Sequence, residues 1–214
     1  MATSANQLAL GNGDGTFQAP VPILATLPPV VWVASGDVNN DGWTDLMFAG
    51  TADNPDLYLL LNNQQGSFTL TKMDDFSEAP TSVVLADLNA DGNLDAVVVN
   101  AGVTANIYLG NGEGAFTAGQ VNIAFPYGYE AQPQIGDVNG DGIPDLLLPV
   151  AGSIGIALGT GKGTFYPPFG VGAGPGVGQV LLQNLHRQSA TAGLPDLVAP
   201  DSNGGVMVLL NLAK

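Results

Sequence analysis

The chain alternates short apolar runs with clusters of Gly, Asn and Asp at a steady interval. Runs at Val31–Gly36, Thr81–Ala86, Pro133–Gly136 and Gly178–Gln183 each lead towards a polar loop, acidic in the first three cases. A second set follows at Leu46–Ala49, Ala96–Asn100, Leu146–Val150 and Leu197–Pro200, and a third at Leu57–Leu61, Asn106–Leu109, Ile154–Leu158 and Val206–Leu210. Apolar stretches this short, bounded by turn formers, are the pattern of buried strands, and no window carries the periodicity and end caps of a helix. The third run of each set leads into a turn closed by Phe, where a fourth strand is predicted to begin. Turns such as Asn111-Gly-Glu-Gly114 are hairpin chemistry, because Gly and Asn accept φ > 0. No Lys-Ser/Thr pair and no helix start follows them, so they are not phosphate loops.

The interval is a repeat. Gly36-Asp-Val-Asn-Asn-Asp-Gly-Trp-Thr-Asp45 recurs as Ala86-Asp-Leu-Asn-Ala-Asp-Gly-Asn-Leu-Asp95 and as Gly136-Asp-Val-Asn-Gly-Asp-Gly-Ile-Pro-Asp145, with Asp37, Asp87 and Asp137 spaced by 50 residues. The turn closed by Phe17, Phe68, Phe116 and Phe165 keeps the same phase. A worn fourth copy, residues 184–196, keeps only its last aspartate, Asp196. Periods of this size indicate a solenoid, propeller or array. Four antiparallel strands per repeat predict an all-β fold, a β-propeller of about four blades or an arc of a larger ring. The expected blades are 31–80, 81–131, 132–176 and 177–211. Residues 7–20 form an extra hairpin that either completes the last blade or leaves a surplus strand for pairing between chains.

Composition sharpens this picture. Nineteen acidic residues face four basic ones, a net charge of −15, and nine of the acids sit in the three loops. A nucleic-acid partner needs a basic stripe, which cannot be assembled here. No apolar run is long enough for a membrane-spanning helix, and anionic membrane surfaces are disfavoured. Cysteine is absent, which excludes disulfides and thiolate chemistry. The opening residues lack the charged and apolar regions of a signal peptide. Millimolar calcium outside cells favours an extracellular or cell-surface setting, with any leader removed.

Asp-x-Asn-x-Asp-Gly-x-x-Asp places oxygens at positions 1, 3, 5 and 9, with a backbone carbonyl expected at 7. Ca²⁺ takes six to eight oxygens, and Gly at position 6 permits the sharp turn that gathers them. The expected ligands are Asp37, Asn39, Asp41, the Trp43 carbonyl and Asp45; Asp87, Asn89, Asp91, the Asn93 carbonyl and Asp95; and Asp137, Asn139, Asp141, the Ile143 carbonyl and Asp145. That is about three Ca²⁺ per chain. The alternative is a plain Asx turn holding no ion. Mg²⁺ suits the set less well, because it demands near-octahedral geometry. Phe48, Val98 and Leu148 stand where an EF-hand has its bidentate Glu, and a strand follows instead of a helix.

With their period and β-flanks, the loops resemble the FG-GAP/VCBS repeat of integrin-like propellers, over nearly the whole chain. Phe169-Gly-Val-Gly-Ala-Gly-Pro175 approximates the phrase that gives the family its name. The resemblance implies structural calcium, and ligand binding on the face away from the calcium loops. Onto that face the expected strand directions bring Phe125, Tyr127, Tyr129, Tyr166 and Phe169, whose bland alternative is capping of the blades.

The expected function is therefore a non-catalytic, calcium-stabilised scaffold for a protein or carbohydrate ligand. The alternatives are a propeller-type polysaccharide lyase or hydrolase using acids such as Glu78 or Glu130, and a fragment or designed piece that only self-assembles. His186 and Arg187 lie in the worn fourth loop, away from any nucleophile motif, and read as decoration.

Overall fold

Strands joined by tight turns cannot make the long crossover that a parallel pair requires, so consecutive runs must pair antiparallel. The computed structural model describes residues 7–24, 27–64, 67–75, 79–101, 104–125, 132–150, 152–172, 179–183, 185, 194–200 and 205–211. Among these residues every regular element is a strand, and the strands form five small antiparallel sheets.

A two-stranded hairpin joins β1 (Gln7–Leu8) to β2 (Val21–Pro22). The first full sheet runs in chain order through β3 (Val30–Gly36), β4 (Asp45–Gly50), β5 (Asp56–Asn62) and β6 (Phe68–Asp75). The second contains β7 (Pro80–Ala86), β8 (Asp95–Asn100) and β9 (Thr104–Gly110), and its outer edge is made by β10 (Phe116–Ala118) and β11 (Ile123–Ala124), both on β9. The third runs β12 (Gln134–Gly136), β13 (Asp145–Val150), β14 (Ser153–Ala157) and β15 (Phe169–Gly172). The fourth is β16 (Leu181–Gln183), β17 (Asp196–Pro200) and β18 (Val206–Leu209). Strands β3, β7, β12 and β16, the first of each sheet, neighbour one another in chain order.

The first three strands of each repeat fall where the apolar runs predict them. The fourth differs. In the third repeat Phe165 makes only an isolated bridge to Gly159, and the strand resumes at Phe169. Pro167 and Pro168 intervene, and a residue without N–H cannot extend a ladder. In the second repeat the edge strand is split, with Asn122 at φ 55 between its halves.

The packing explains why the runs are continuously apolar instead of alternating. Successive residues of one strand point to opposite faces, and here both faces meet another sheet. Ala96 and Val98 pack with Met47, Leu57 and Leu59 of the first sheet, whereas Val97 and Val99 pack with Leu146, Leu148 and Val150 of the third. In the third sheet, Leu147 turns the other way and joins Leu197 and Ala199 of the fourth. Ile23, Leu24 and Leu27, after the first hairpin, lie against Phe48, Tyr58 and Leu60 of the first sheet.

Ile107 is fully buried between the second and third sheets, so Ile107→Ala is expected to cost about 2–5 kcal/mol in urea denaturation through lost burial and a cavity. Val121→Ala, at a half-exposed position, is expected to stay within about 0.5 kcal/mol of wild type.

Candidate metal centres

In each of the first three repeats the acidic loop joins the first strand to the second. The register is the same each time, because the residue before the first loop aspartate pairs with the last one: Gly36 with Asp45, Ala86 with Asp95 and Gly136 with Asp145. The fourth repeat keeps it as Gln183 with Asp196. Two left-handed residues curl each loop, Asn40 and Gly42, Ala90 and Gly92, and Gly140 and Gly142. The second is always Gly, because a Cβ is disfavoured at positive φ.

The curl turns the loop amides inwards onto the first and third side chains. Gly42 N donates to Asp37 Oδ2 at 2.8 Å, and Asp41 N donates to Asp37 Oδ1 and Asn39 Oδ1. Asn39 Nδ2 in turn donates to Asp41 Oδ2 at 3.1 Å, while Trp43 N donates to Asp41 Oδ1. The second loop repeats these bonds through Asp87, Asn89 and Asp91, and the third closely follows through Asp137, Asn139 and Asp141. The structure thus brings the expected ligands at positions 1, 3 and 5 together at the exposed rim of each loop.

The ninth aspartates are buried, and here the structure adds a second role beside the one expected of them as ligands. Asp45 is fully buried and accepts two backbone amides, Val38 N on Oδ2 at 3.0 Å and Asn62 N on Oδ1 at 2.8 Å. Asp95 does the same with Leu88 N and Gly110 N, and Asp145 with Val138 N and Gly159 N. Asp196, in the repeat without inner carboxylates, accepts Leu185 N at 2.9 Å and Asn211 N at 2.8 Å. Each carboxylate clasps the start of its loop to the end of the third strand. Burial, the largest influence, pushes the Asp45, Asp95 and Asp145 carboxyls above the ordinary range; their amide donors pull the other way and the neighbouring loop acids push further up. The signal was in the sequence: the last aspartate is the one acid that survives in the fourth loop, residues 184–196.

The donor set suits a hard cation, because positions 1, 3 and 5 offer only oxygen and amide groups. Among the described residues no three Asp, Glu, His or Cys side chains form a metal-holding group by themselves. An ion at the rim would draw on two carboxylates, the Asn oxygen, a carbonyl of Trp43, Asn93 or Ile143, and lone pairs left on the clasping aspartate. The loops also meet the neighbouring repeat. Val38 O accepts Gly114 N, Leu88 O accepts Gly163 N, and Val138 O accepts Asn211 Nδ2, so each loop receives the turn region of the next sheet.

Of the aromatic residues expected on the opposite face, the three described ones do not gather there. Phe125 is buried, with its ring in the space that Gly155 leaves by lacking a Cβ, so it serves the core and cannot meet a ligand. Tyr166 and Phe169 are exposed, but Tyr166 stands beside the Gly-rich turn at the acidic-loop end, and Phe169 lies on edge strand β15. Tyr127, Tyr129, Glu78, Glu130, His186 and Arg187 lie outside the described residues.

The clasp and the rim are separable. Asp196→Asn exchanges an acceptor for a donor opposite a backbone N–H, and is expected to lower stability by about 1–3 kcal/mol equally in calcium and in EDTA. Asp91→Asn, at the exposed rim, is expected to leave the EDTA value within about 0.5 kcal/mol and to diminish only the response to calcium. Urea denaturation under both conditions measures each.

Three stretches, residues 2–48, 37–98 and 87–148, match the model of the FG-GAP-like repeat. No curated protein sequence matches the chain. A solved structure of an Agrocybe aegerita lectin, described for its specific recognition of non-reducing terminal N-acetylglucosamine, aligns with 96% of this chain at 21% identity and a TM-score of 0.67. The Photorhabdus luminescens Tc holotoxin pore aligns with 97% at 17% identity and a TM-score of 0.51. The chain spans 57% of that lectin's length and 10% of the toxin chain's. Since the repeat matches together cover more than half of its residues, the chain belongs to the FG-GAP-like repeat family.

Proposed function

We propose that the protein is a non-catalytic β-propeller scaffold, a ring of about four blades or an arc of a larger one, which binds carbohydrate outside the cytoplasm. In this reading the acidic loops hold about three structural Ca²⁺ ions. The observation that carries the calcium is the threefold recurrence of one curled loop with the same three oxygen-bearing side chains drawn to its rim. An ion there neutralises acids that otherwise repel one another, and binding only the folded form stabilises it by mass action. The likeness to a lectin supports carbohydrate over protein as the ligand. A role in binding, not catalysis, also agrees with a loop that spends its oxygens on one ion and so leaves that ion no open position for an activated water.

Adding millimolar calcium to EDTA-treated protein is expected to raise the melting temperature by several degrees, with elemental analysis finding about three Ca²⁺ per chain. An unchanged melting temperature with no bound metal contradicts the calcium reading. Immobilised neutral glycans, including N-acetylglucosamine-terminated ones, are expected to capture the protein in calcium. Turnover of a soluble polysaccharide would favour the enzyme instead.

A second reading, self-assembly, is favoured by the end sheets. Facing the third sheet, Leu182, Met207 and Leu209 of the fourth are packed, whereas Leu181, Val206 and Val208 on its other face are exposed. At the far end Val31 and Val33 of β3 are exposed on the face that turns away from the second sheet. These are unfilled halves of the interface that recurs inside the chain, so a second copy stacked head to tail would continue it. Light scattering is expected to give a mass above one chain, reduced by Val206→Lys; a monomer at all concentrations rejects this reading.

A further inference from the structure

The first strands of the four repeat sheets begin at the end opposite the acidic loops, and there residues of the first two sheets, with Gln132 and Gln179 from the segments leading into the third and fourth, line a cavity of about 580 Å³. We infer that this axial cavity is a binding site for a neutral sugar residue, held by Ser82, Gln132 and Gln179 against Trp32. The inference rests on the carbohydrate reading and gives it a location and a ligand class.

Four observations carry it. The first is the wall chemistry: among the described residues none that lines the cavity is charged, although the chain carries a net charge of −15. A cationic ligand finds no counter-ion in such a wall, and an anionic one enters against the field of the whole chain. A neutral ligand with hydrogen-bonding groups is what remains.

The second is Ser82, on the wall at the start of β7. It is 2% exposed, and its hydroxyl has no hydrogen-bond partner. A buried hydroxyl left unpaired costs about 1–3 kcal/mol, and proteins complete such groups with a ligand, water or ion. Its neighbour Thr81 needs no such partner, because its hydroxyl donates to Val99 O.

The third is a pair of carboxamides across the mouth. Gln179 Nε2 donates to Gln132 Oε1 at 3.3 Å, linking the segments that lead into the third and fourth sheets. That bond leaves Gln132 Nε2 and Gln179 Oε1 as a donor and an acceptor side by side, which matches vicinal hydroxyls or an N-acetyl group.

The fourth is Trp32. Its Nε1 donates to Val83 O at 3.0 Å, which fixes the half-buried indole on the wall and satisfies its donor. Part of the ring packs on the core between the first two sheets, and its exposed part is what remains available; the C–H faces of a pyranose pack on such surfaces. Shape, hydroxyl chemistry and neutrality converge on a terminal neutral sugar instead of a uronic or sialic acid.

The test uses Trp32 as its reporter in the full chain. Trp43→Phe removes the other tryptophan, so emission reports the cavity. Titration with the methyl glycosides of N-acetylglucosamine, galactose and mannose is expected to give a saturable change with at least one, and none with methyl glucuronide. Ser82→Ala is expected to weaken that binding about tenfold while raising the melting temperature of the ligand-free protein, since an unpaired hydroxyl is removed. Gln132→Ala is expected to weaken binding without raising stability. If glycans capture wild-type protein but both variants bind as tightly as wild type, the cavity is not the site and the lectin reading stands. If no neutral glycan binds wild type, on a surface or in solution, both fall. Preference for the glucuronide overturns the assignment of ligand class.

Discussion

Four times along this chain a buried aspartate accepts two backbone amides, one from the start of its loop and one from the end of the third strand. The rest of each repeat depends on that clasp. A carboxylate in the core is costly unless its oxygens are satisfied, and it can turn a separate oxygen to each of two N–H donors. The two amides bond different oxygens, so asparagine, with NH2 in place of one of them, would set a donor against a donor. The clasp fixes where the hairpin of strands one and two meets strand three, and so sets the register of the sheet. It also holds the second loop residue in place, whose carbonyl accepts a bond from the next sheet. One side chain thereby couples loop, sheet and neighbouring sheet.

Glycine completes the clasp where the chain is most crowded. At Gly110 and Gly159 an added Cβ would collide with the carbonyls of Leu94 and Pro144, in the loop that the clasp closes. In the first and fourth repeats Asn62 and Asn211 take this place, and their side-chain amides bond the corresponding carbonyls of Thr44 and Pro195. The same spot is thus served in two ways, by removing atoms or by adding a donor.

Much of this was legible in the sequence, for a physical reason. Strands buried on both faces must be apolar at every position, so the runs that end up as β4, β8 and β13 stand out as unbroken stretches. The three loops declared their curl through glycine at the sixth position and their chemistry through three acids each. What the sequence hid was the division of labour inside the loop. Asp41 and Asp45 are the same residue type four positions apart, yet one stands at the solvent rim and the other in the core. Residue type alone does not show which carboxylate is buried as a clasp, because the loop carries the same acid at each of these positions. The aromatic residues misled in the same way: the ring of Phe125 fills a gap left by Gly155, a fact of three-dimensional packing that no local pattern carries. The proline pair after Tyr166 was visible, but its consequence, a late start for the edge strand, emerged only from the ladder that it interrupts.

If the acidic rim holds metal, it does so on a frame that the clasp has already shaped, and the opposite end of the same strands is left free to meet a ligand. The account stands or falls on the clasp forming in every repeat, including the one without an acidic rim. Amide hydrogen exchange read by NMR addresses this directly, at Val38, Leu88, Val138 and Leu185 and at Asn62, Gly110, Gly159 and Asn211. The account predicts slow exchange at all eight, retained when divalent ions are chelated. Exchange at exposed-loop rates in any repeat, above all at Leu185 and Asn211, would contradict it.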